Sequence, residues 1–521
     1  MNKRKKKFYK LISNPLLKNI IVFFCSLSLS LLSIYLMIGS LITPLKLITI
    51  GITFICSALY LHKNYNAIVK QFKSNEKFCV FGLLLSIIIF YELAITSNIE
   101  YRILNINSIY YFSFLGLAFI IIFFIIKIKE WLRKFIKSMD DFEKKAYIIT
   151  SIIMFVILLI LYLNTNYFYL QYDNVYSIDS GWVYNHILID VYYYDIRHPL
   201  MSILTFPIYA IVKFIFSFHL TPIILQFLNI QLLILVGLML KRMTKNKFVY
   251  VFYMLSFPSI LFSLFLEKYI LCIFLVVVYL YDIFINKRSN NKLLAFIVGA
   301  MPTNIFIVAS EFFRKNSFKD KIKNAISIGI ISVLIFVLSG RIHCLVNGYD
   351  EMKHMKDTFG ANDFTIAEKV NSTTKMITHS FIALDSHSNG NTYTWTNITN
   401  SISYLGLAIV IVILFGFKDI YKIKNKVYFS FGLSFVFSII LIIILNWSVH
   451  ESPLFSICFS WAIIPLFLNG LEKIFCLLKI NKQNYKYIYY VILLVMTTIN
   501  IRQVISIFRF AMSLNFSFSI I

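Results

Sequence analysis

The chain has 521 residues, of which 59% are hydrophobic and 14% are charged, and its mean hydropathy is +0.77. A soluble fold of this length could not bury so much apolar surface, so the composition excludes a soluble globular protein and predicts a multi-pass membrane protein. The net charge of +26 would also suit a nucleic-acid-binding protein. However, most Lys and Arg residues lie in short loops between apolar runs, as the positive-inside rule requires, and we predict no nucleic-acid partner.

The chain begins with MNKRKKKFYK, which has the charge of a signal-peptide n-region. The following apolar run, 18–41, is long enough to span a bilayer, and no small-residue cleavage site follows it. These features predict a retained first helix with a cytoplasmic N-terminus. Three further runs, at 43–62, 78–96 and 108–126, complete a predicted four-span N-terminal module over 1–145.

The rest of the chain continues as apolar runs separated by polar loops. The predicted spans are 147–166, 222–240, 248–265, 269–286, 322–340, 401–417, 427–446, 452–470 and 485–503. Residues 291–313 join two basic loops around Pro302, Thr303 and Asn304, which predicts a broken or re-entrant helix. For 199–217 the charge rule and Pro207 favour an interfacial helix over a full span.

These elements predict an all-α polytopic bundle of about 13–15 spans, with outer-face juxtamembrane helices and a larger outer loop. The predicted regions are the N-terminal module, a catalytic core over 146–340 whose first outer loop is 167–198, an outer loop over 341–400, and a C-terminal membrane region over 401–521. Placing the Lys-rich loops inside puts most histidines and several carboxylates outside. This predicted asymmetry is the main functional signal in the sequence.

Several short motifs recur in an informative order on the predicted outer side. Asp179 stands in YSIDSGWVYNH, and Arg197 and His198 precede Pro199-Leu200. Glu267 and Lys268 follow a Ser-Phe-Pro, VGAMPTNIF begins at 298, and HESPLF contains His450 and Glu451. In this order the motifs resemble the polytopic glycosyltransferases of the GT-C fold, which use lipid-linked sugars. The resemblance covers roughly 147–465.

The resemblance implies an enzyme that transfers a sugar from a polyprenyl-phosphate donor to a cell-envelope glycan, lipid or polymer on the outer face of a bacterial cell membrane. It implies that Asp179 is the general base and that Arg197, His198 and Lys268 bind the phosphate. It adds Glu267, His450 and Glu451 as substrate-binding residues. The sequence has departures: Ser180 and Leu200 replace an expected Glu and Pro, and four spans precede the resembling region.

The residues themselves leave other interpretations open. Asp179 has the signature of a helix N-cap, and Arg197 could extend to lipid headgroups. Glu267 and Lys268 could form an exposed ion pair, worth about 0–1 kcal/mol. No segment has the spacing of a metal site, so no metal ligand is predicted, although a divalent metal stays open. A polysaccharide polymerase and a lipid or oligosaccharide flippase are the alternative functions.

Overall fold

The fold is taken from a computed structural model of the whole chain, and it is almost entirely helical. The structure describes residues 11, 13–35, 43–75, 77, 79–89, 126–165, 175, 200–216, 220–288, 291–307, 317–338, 350, 353, 365–383, 386–389, 392–395, 400–420, 426–445 and 452–518. Within this part, the one departure from the predicted all-α fold is a short β-hairpin.

The first half of the chain contains α1 to α10. Their bounds are α1 Pro15–Tyr35, α2 Thr43–Ser74, α3 Cys79–Ile89, α4 126–137, α5 Asp141–Asn164, α6 Met201–Ile215, α7 Thr221–Thr244, α8 Lys247–Leu255, α9 Phe257–Leu264 and α10 Tyr269–Phe284. Long runs of Ile, Leu and Phe with few Gly or Pro residues favour these helices.

The second half contains α11 Asn291–Ala300, a 3₁₀ turn Pro302–Phe306, α12 Phe318–Leu338, α13 Ile366–His379, strands β1 Ser386–Asn389 and β2 Thr392–Trp395, α14 Asn400–Ile420, α15 Lys426–Leu445, α16 Ser452–Leu477 and α17 Tyr485–Phe518. The strands pair antiparallel, with Ser386 opposite Trp395. The end of α11 at Ala300 confirms the predicted helix break before Pro302, where a proline opens the next turn.

Five helices among the described residues are long and apolar enough to cross a membrane. They are Leu47–Ser74, Asp141–Asn164, Thr221–Thr244, Ser456–Leu477 and Lys482–Ser513, and a sixth is counted if the bent pair α8 and α9 is one span. Shorter apolar helices coincide with the predicted spans at 18–41, 78–96, 269–286, 401–417 and 427–446. The membrane character is therefore supported, while the predicted total of spans stays a prediction.

The chain divides into two compact units. The first comprises Met1–Asp140, Ile187–Thr221 and Ile330–Gly348, and the second comprises Asp141–His186, Pro222–Gly329 and Tyr349–Ile521. In the first unit α1 packs along α2, with Val22, Leu61 and Ile68 in a small buried cluster. In the second unit α7 and α16 form the interior, because 72% and 78% of their most apolar windows are buried, against 17% for α5.

Two points in the second unit correct the sequence-based expectation. The predicted single span 248–265 is broken at Ser256, and its halves α8 and α9 meet at 56°. The region 341–400 contains α13, whose residues from Thr373 to His379 are buried against neighbouring helices. The sequence did not predict this packed helix, because the stretch is polar and a hydropathy profile does not distinguish buried polar residues from solvated ones.

Close helix contacts in this unit depend on glycine. A Cβ atom added at Gly406 of α14 would overlap the carbonyl oxygen of Thr374 of α13, and one added at Gly470 of α16 would overlap that of Val412. Absence of a side chain allows the helix backbones to approach, as is common in membrane helix packing. These two contacts join α13, α14 and α16 into one packed layer.

We expect Gly406→Ala to destabilise the protein by about 1–3 kcal/mol, because the backbone of α13 must move to admit a methyl group. The measurement is the thermal unfolding temperature of the purified protein in detergent. Gly329→Ala in α12 is the matched control, because an added Cβ meets no atom within 4 Å there. It should leave stability unchanged or raise it by up to about 1 kcal/mol. Equal effects of both substitutions would contradict the close α13–α14 contact.

Candidate functional site

The sequence-predicted site residues divide into two groups. Asp179, Arg197, His198, His450 and Glu451 lie outside the described residues, so their proposed roles stay predictions. Glu267 and Lys268 are described and lie in the turn between α9 and α10. The geometry of that turn, called here the Glu267 turn (265–268), is therefore the part of the predicted site that can be examined.

Glu267 is buried, with 2% of its surface exposed. Its Oε2 accepts a hydrogen bond from the backbone N–H of Lys268 at 3.2 Å, and its backbone carbonyl accepts one from Asn229 Nδ2 of α7 at 3.1 Å. One turn earlier on α7, Gln226 Nε2 donates to the carbonyl of Phe262 at 2.7 Å. Two amide side chains of α7 thus hold the end of α9 and the turn. Because Glu267 is buried, it is not a surface carboxylate, while its pairing with Lys268 stays a prediction.

Two buried thiols, those of Cys272 and Cys458, lie in the same part of the interior as the Glu267 turn. Cys458 of α16 is within electrostatic reach of both Glu267 and Cys272. The thiol of Cys272 contacts the carbonyl oxygen of Ala300, the last residue of α11, at 3.9 Å. This contact joins the turn to the break between α11 and the following 3₁₀ helix.

The break between α8 and α9 is a second polar feature of the interior. Asn500 of α17 is fully buried, and its Nδ2 donates to the carbonyls of Leu255 and Phe381, each at 2.9 Å. The backbone N–H of Phe257 also donates to the Phe381 carbonyl at 3.0 Å. A helix break leaves backbone groups without intrahelical partners, and burial would make these costly. Asn500 and the segment after α13 supply the missing partners.

α13 brings basic side chains into the same interior. Lys375 and His379 are both buried and lie one helical turn apart. His379 stands two residues before Phe381, whose carbonyl accepts a hydrogen bond from Asn500. Burial, with a smaller contribution from the charge of Lys375, lowers the pKa of His379 to about 3. His379 is therefore neutral at physiological pH. A neutral imidazole donates a hydrogen bond from one ring nitrogen and accepts one at the other.

The other end of α7 carries a cluster of charged side chains. The carboxylate of Glu143 in α5 accepts hydrogen bonds from Lys241 Nζ at 3.0 Å and from Arg242 Nε at 2.9 Å, and Arg242 Nη1 donates to the Tyr281 hydroxyl at 3.0 Å. Arg242 Nη2 also contacts the second oxygen of Glu143, so the guanidinium binds the carboxylate with two nitrogens. We call this group the Glu143 cluster.

A second carboxylate, that of Glu472, contacts the turn that follows α7 and leads into α8. Glu472 Oε1 of α16 accepts hydrogen bonds from Asn246 Nδ2 at 2.9 Å and from the Tyr489 hydroxyl at 3.3 Å. The basic stretch 241–247, which the sequence predicts only as a cytoplasmic loop, is thus also held at both ends by carboxylates, of which Glu143 is buried and Glu472 is partly buried. The sequence does contain a signal for these contacts: Glu143 lies within the basic loop 127–145, and Glu472 directly precedes the basic loop 473–486. Counting charges only subtracts these two residues from the net charge of each loop and does not show that they bind basic side chains elsewhere.

The two polar ends lie far apart along the helices. Twelve residues separate Asn229 from Lys241 on α7, and twelve separate Tyr269 from Tyr281 on α10, which corresponds to about 18 Å at 1.5 Å per residue. Glu267 therefore lies just before α10 begins and about 18 Å along α7 from the Glu143 cluster. Among the described residues no group of three or more His, Cys, Asp or Glu side chains could hold a metal ion.

Comparison with known proteins adds no identification. No protein-family model, no curated protein and no solved structure matches this chain. The functional argument therefore depends on the residues and on the geometry described above.

We expect Asn500→Ala to lower the unfolding free energy by about 1–3 kcal/mol, because the carbonyls of Leu255 and Phe381 lose a buried donor. Thermal unfolding in detergent measures the effect. Thr498→Ala on the same helix is the control, since its exposed hydroxyl bonds only within α17. A loss no larger for Asn500→Ala than for Thr498→Ala would show that the helix break does not depend on Asn500.

We expect acid to destabilise the protein partly through His379. The pKa of this side chain is lower in the folded state than in the unfolded state, so below about pH 6.5 the unfolded state binds a proton that the folded state does not. The unfolding free energy should then fall by up to about 1.4 kcal/mol per pH unit as the pH decreases from about 6.5 towards 3.

The measurement is the unfolding temperature between pH 7.5 and pH 5 for the wild type and for His379→Gln. The variant should show a shallower decline, because Gln cannot take up the proton. His62→Gln, which replaces an exposed side chain of α2, should follow the wild-type curve. Identical slopes for the wild type and His379→Gln would contradict the burial of a neutral histidine.

Proposed function

We propose that the protein is a membrane glycosyltransferase that uses a polyprenyl-phosphate-linked sugar and transfers it to a cell-envelope glycan, lipid or polymer. The observation that carries the proposal is the buried carboxylate of Glu267 in a turn held by Asn229. The motif order assigns an acidic residue to this turn. Burial of a carboxylate costs free energy, and a turn with a purely structural role can form without one. Ionisable groups inside a membrane protein are therefore typical of functional sites.

The proposed reaction needs few groups from the protein. A hydroxyl oxygen of the acceptor bonds to the anomeric carbon of the sugar while the bond from that carbon to the phosphate oxygen breaks, and the bonding electron pair leaves with the phosphate. The proton of the acceptor hydroxyl passes to Asp179 as general base. Arg197, His198 and Lys268 stabilise the phosphate anion that departs. Glu267, His450 and Glu451 bind the sugar or acceptor.

The distribution of charge supports this arrangement. Basic residues concentrate at the Glu143 cluster and the loops predicted to be cytoplasmic, and Glu267 lies about 18 Å along α7 and α10 from that cluster. Lys268, which precedes α10 as its N-cap residue, is partly exposed beside the buried carboxylate. A cation at the water boundary next to a carboxylate suits a ligand that combines a phosphate with a sugar.

A transporter of lipids or oligosaccharides is the second candidate function. The observation that favours it is the bend of 56° between α8 and α9, whose freed backbone groups are satisfied by Asn500 and Phe381. Broken helices near the middle of a membrane are common at transporter binding sites. The same break would serve an enzyme if it shaped a groove for the polyprenyl chain, so only an assay separates the two functions.

We expect Glu267→Gln to reduce glycosyl transfer by about 10–150-fold, because a charge-assisted hydrogen bond to the substrate becomes a neutral one. The assay uses the full chain in lipid nanodiscs, a panel of radiolabelled polyprenyl-phosphate sugars and cell-envelope extract as the acceptor. Asp179→Asn should lose about 100–10,000-fold, as expected for removal of a general base. Asp320→Asn, at an exposed position of α12, is the charge-matched control and should keep wild-type turnover.

Wild-type turnover by Asp179→Asn would show that the proposed mechanism is wrong. Failure of the wild-type protein to release polyprenyl phosphate from any donor, together with movement of labelled lipid across sealed vesicles, would instead establish the transporter. An unfolding temperature within experimental error of wild type is required for each variant, so that a loss of turnover reports on the site.

A further inference from the structure

The helix α4 (126–137) has a feature that glycosyl transfer does not use. Its sequence IKIKEWLRKFIK carries Lys127, Lys129, Arg133, Lys134 and Lys137 against a single acidic residue, Glu130. Only residues 138–140 separate it from α5, which is long and apolar enough to cross a membrane. Clusters of basic residues that closely precede or follow a membrane-spanning segment in sequence commonly bind lipid headgroups.

Two stripes of side chains run along one side of α4. Ile128, Leu132 and Ile136 recur every four residues, and so do Lys129, Arg133 and Lys137, each directly after one member of the apolar stripe. Residues four apart lie on the same face of a helix, so an apolar stripe and a basic stripe run side by side. Together these six residues line a surface groove of about 590 Å³.

The groove has an apolar interior and a charged edge. Its wall is almost entirely apolar, including the aliphatic parts of the basic side chains, while Arg133 and Lys137 are exposed. Long basic side chains commonly cover apolar surface with their methylene groups and hold the charge in water. Ile128 and Ile136 are also exposed, at 42% and 56%, which is unfavourable unless a ligand or lipid covers them.

The burial of one aromatic side chain and one long-range hydrogen bond fix the orientation of this helix. Phe135 is buried and stacks on Trp131, with ring centroids 5.3 Å apart. Lys129 Nζ donates to Asn75 Oδ1, just after α2, at 3.5 Å. Because α4 is held by these contacts, the groove is a property of the folded unit and not of a freely rotating helix.

We propose that this groove binds an anionic glycerophospholipid of the adjacent leaflet. The acyl chain would lie along Ile128, Leu132 and Ile136, and the phosphate would contact the charges of Arg133 and Lys137. A nucleic acid or soluble polyanion would gain nothing from the apolar stripe, and a zwitterionic lipid would gain little from the basic one. The combination of both stripes therefore selects a lipid with a net negative headgroup.

The test measures binding of fluorescent dioleoylphosphatidylglycerol to the full chain in nonionic detergent, with dioleoylphosphatidylcholine as the neutral comparison. We expect Arg133→Gln/Lys137→Gln to bind the anionic lipid about 30-fold more weakly, because each basic residue near an anionic headgroup contributes about a factor of five. Lys127→Gln/Lys134→Gln is the charge-matched control. It removes two charges from the same helix at residues that do not line the groove, so less than about threefold weakening is expected if binding is local to the groove.

A third variant tests the apolar stripe. Ile128→Gln/Ile136→Gln should also weaken binding of the anionic lipid while leaving the charges in place. Equal weakening by the two charge variants would overturn the proposal in favour of diffuse attraction. Displacement of the lipid by millimolar inorganic phosphate would show a simple anion site, and tighter binding of polyprenyl phosphate than of phosphatidylglycerol would assign the groove to that lipid instead; either result overturns the proposal.

A second measurement on the wild-type chain avoids dependence on variant folding. A photoactivatable phosphatidylglycerol with the reactive group in its acyl chain should crosslink to the peptide that contains residues 126–137, as located by mass spectrometry. Crosslinks confined to other helices would overturn the proposal even if every variant lost binding. The result does not depend on glycosyl transfer, since the enzyme assay and the lipid-binding assay use different ligands and different residues.

Discussion

The structure depends on one constraint, which is that polar groups inside an apolar bundle must find partners within the protein. Water is absent from such an interior, so each unpaired backbone group costs free energy. The break between α8 and α9 exposes such groups, and Asn500 with the Phe381 carbonyl satisfies them. α13 reaches this position because Gly406 lets the backbones of α13 and α14 approach. A broken helix, a buried asparagine and a glycine contact thus form one interdependent arrangement.

Two buried carboxylates, those of Glu143 and Glu267, have different surroundings. Glu143 is bound by Lys241 and Arg242, so its charge is balanced and its role is to join α5, α7 and α10. Such a pair costs much to break, because removal of one partner leaves a buried charge. Glu267 receives a backbone N–H and lies beside thiols. The second carboxylate, and not the first, is proposed for ligand binding because the motif order assigns an acidic residue to its turn.

Much of the fold could be predicted from particular residues. Long apolar runs identified the spans that became α5, α7, α16 and α17, and Pro302 identified the break after α11. Glu267 was selected from its place in a motif order, and the structure shows that it is buried, while its role stays a prediction. The break at Ser256 was not predicted, although Pro258 stands two residues later, because a proline near a helix start is also compatible with an unbroken run.

The sequence by itself determined which segments leave water, because hydropathy is a sum over neighbouring residues and needs no knowledge of the fold. It also determined that basic residues gather in the loops between spans. Only the tertiary structure decided which polar side chains are buried and with whom they pair. Asn500 and Phe381 are 119 residues apart, and Glu143 and Arg242 are 99 apart. Such pairings arise from helix packing in three dimensions, which local composition does not encode.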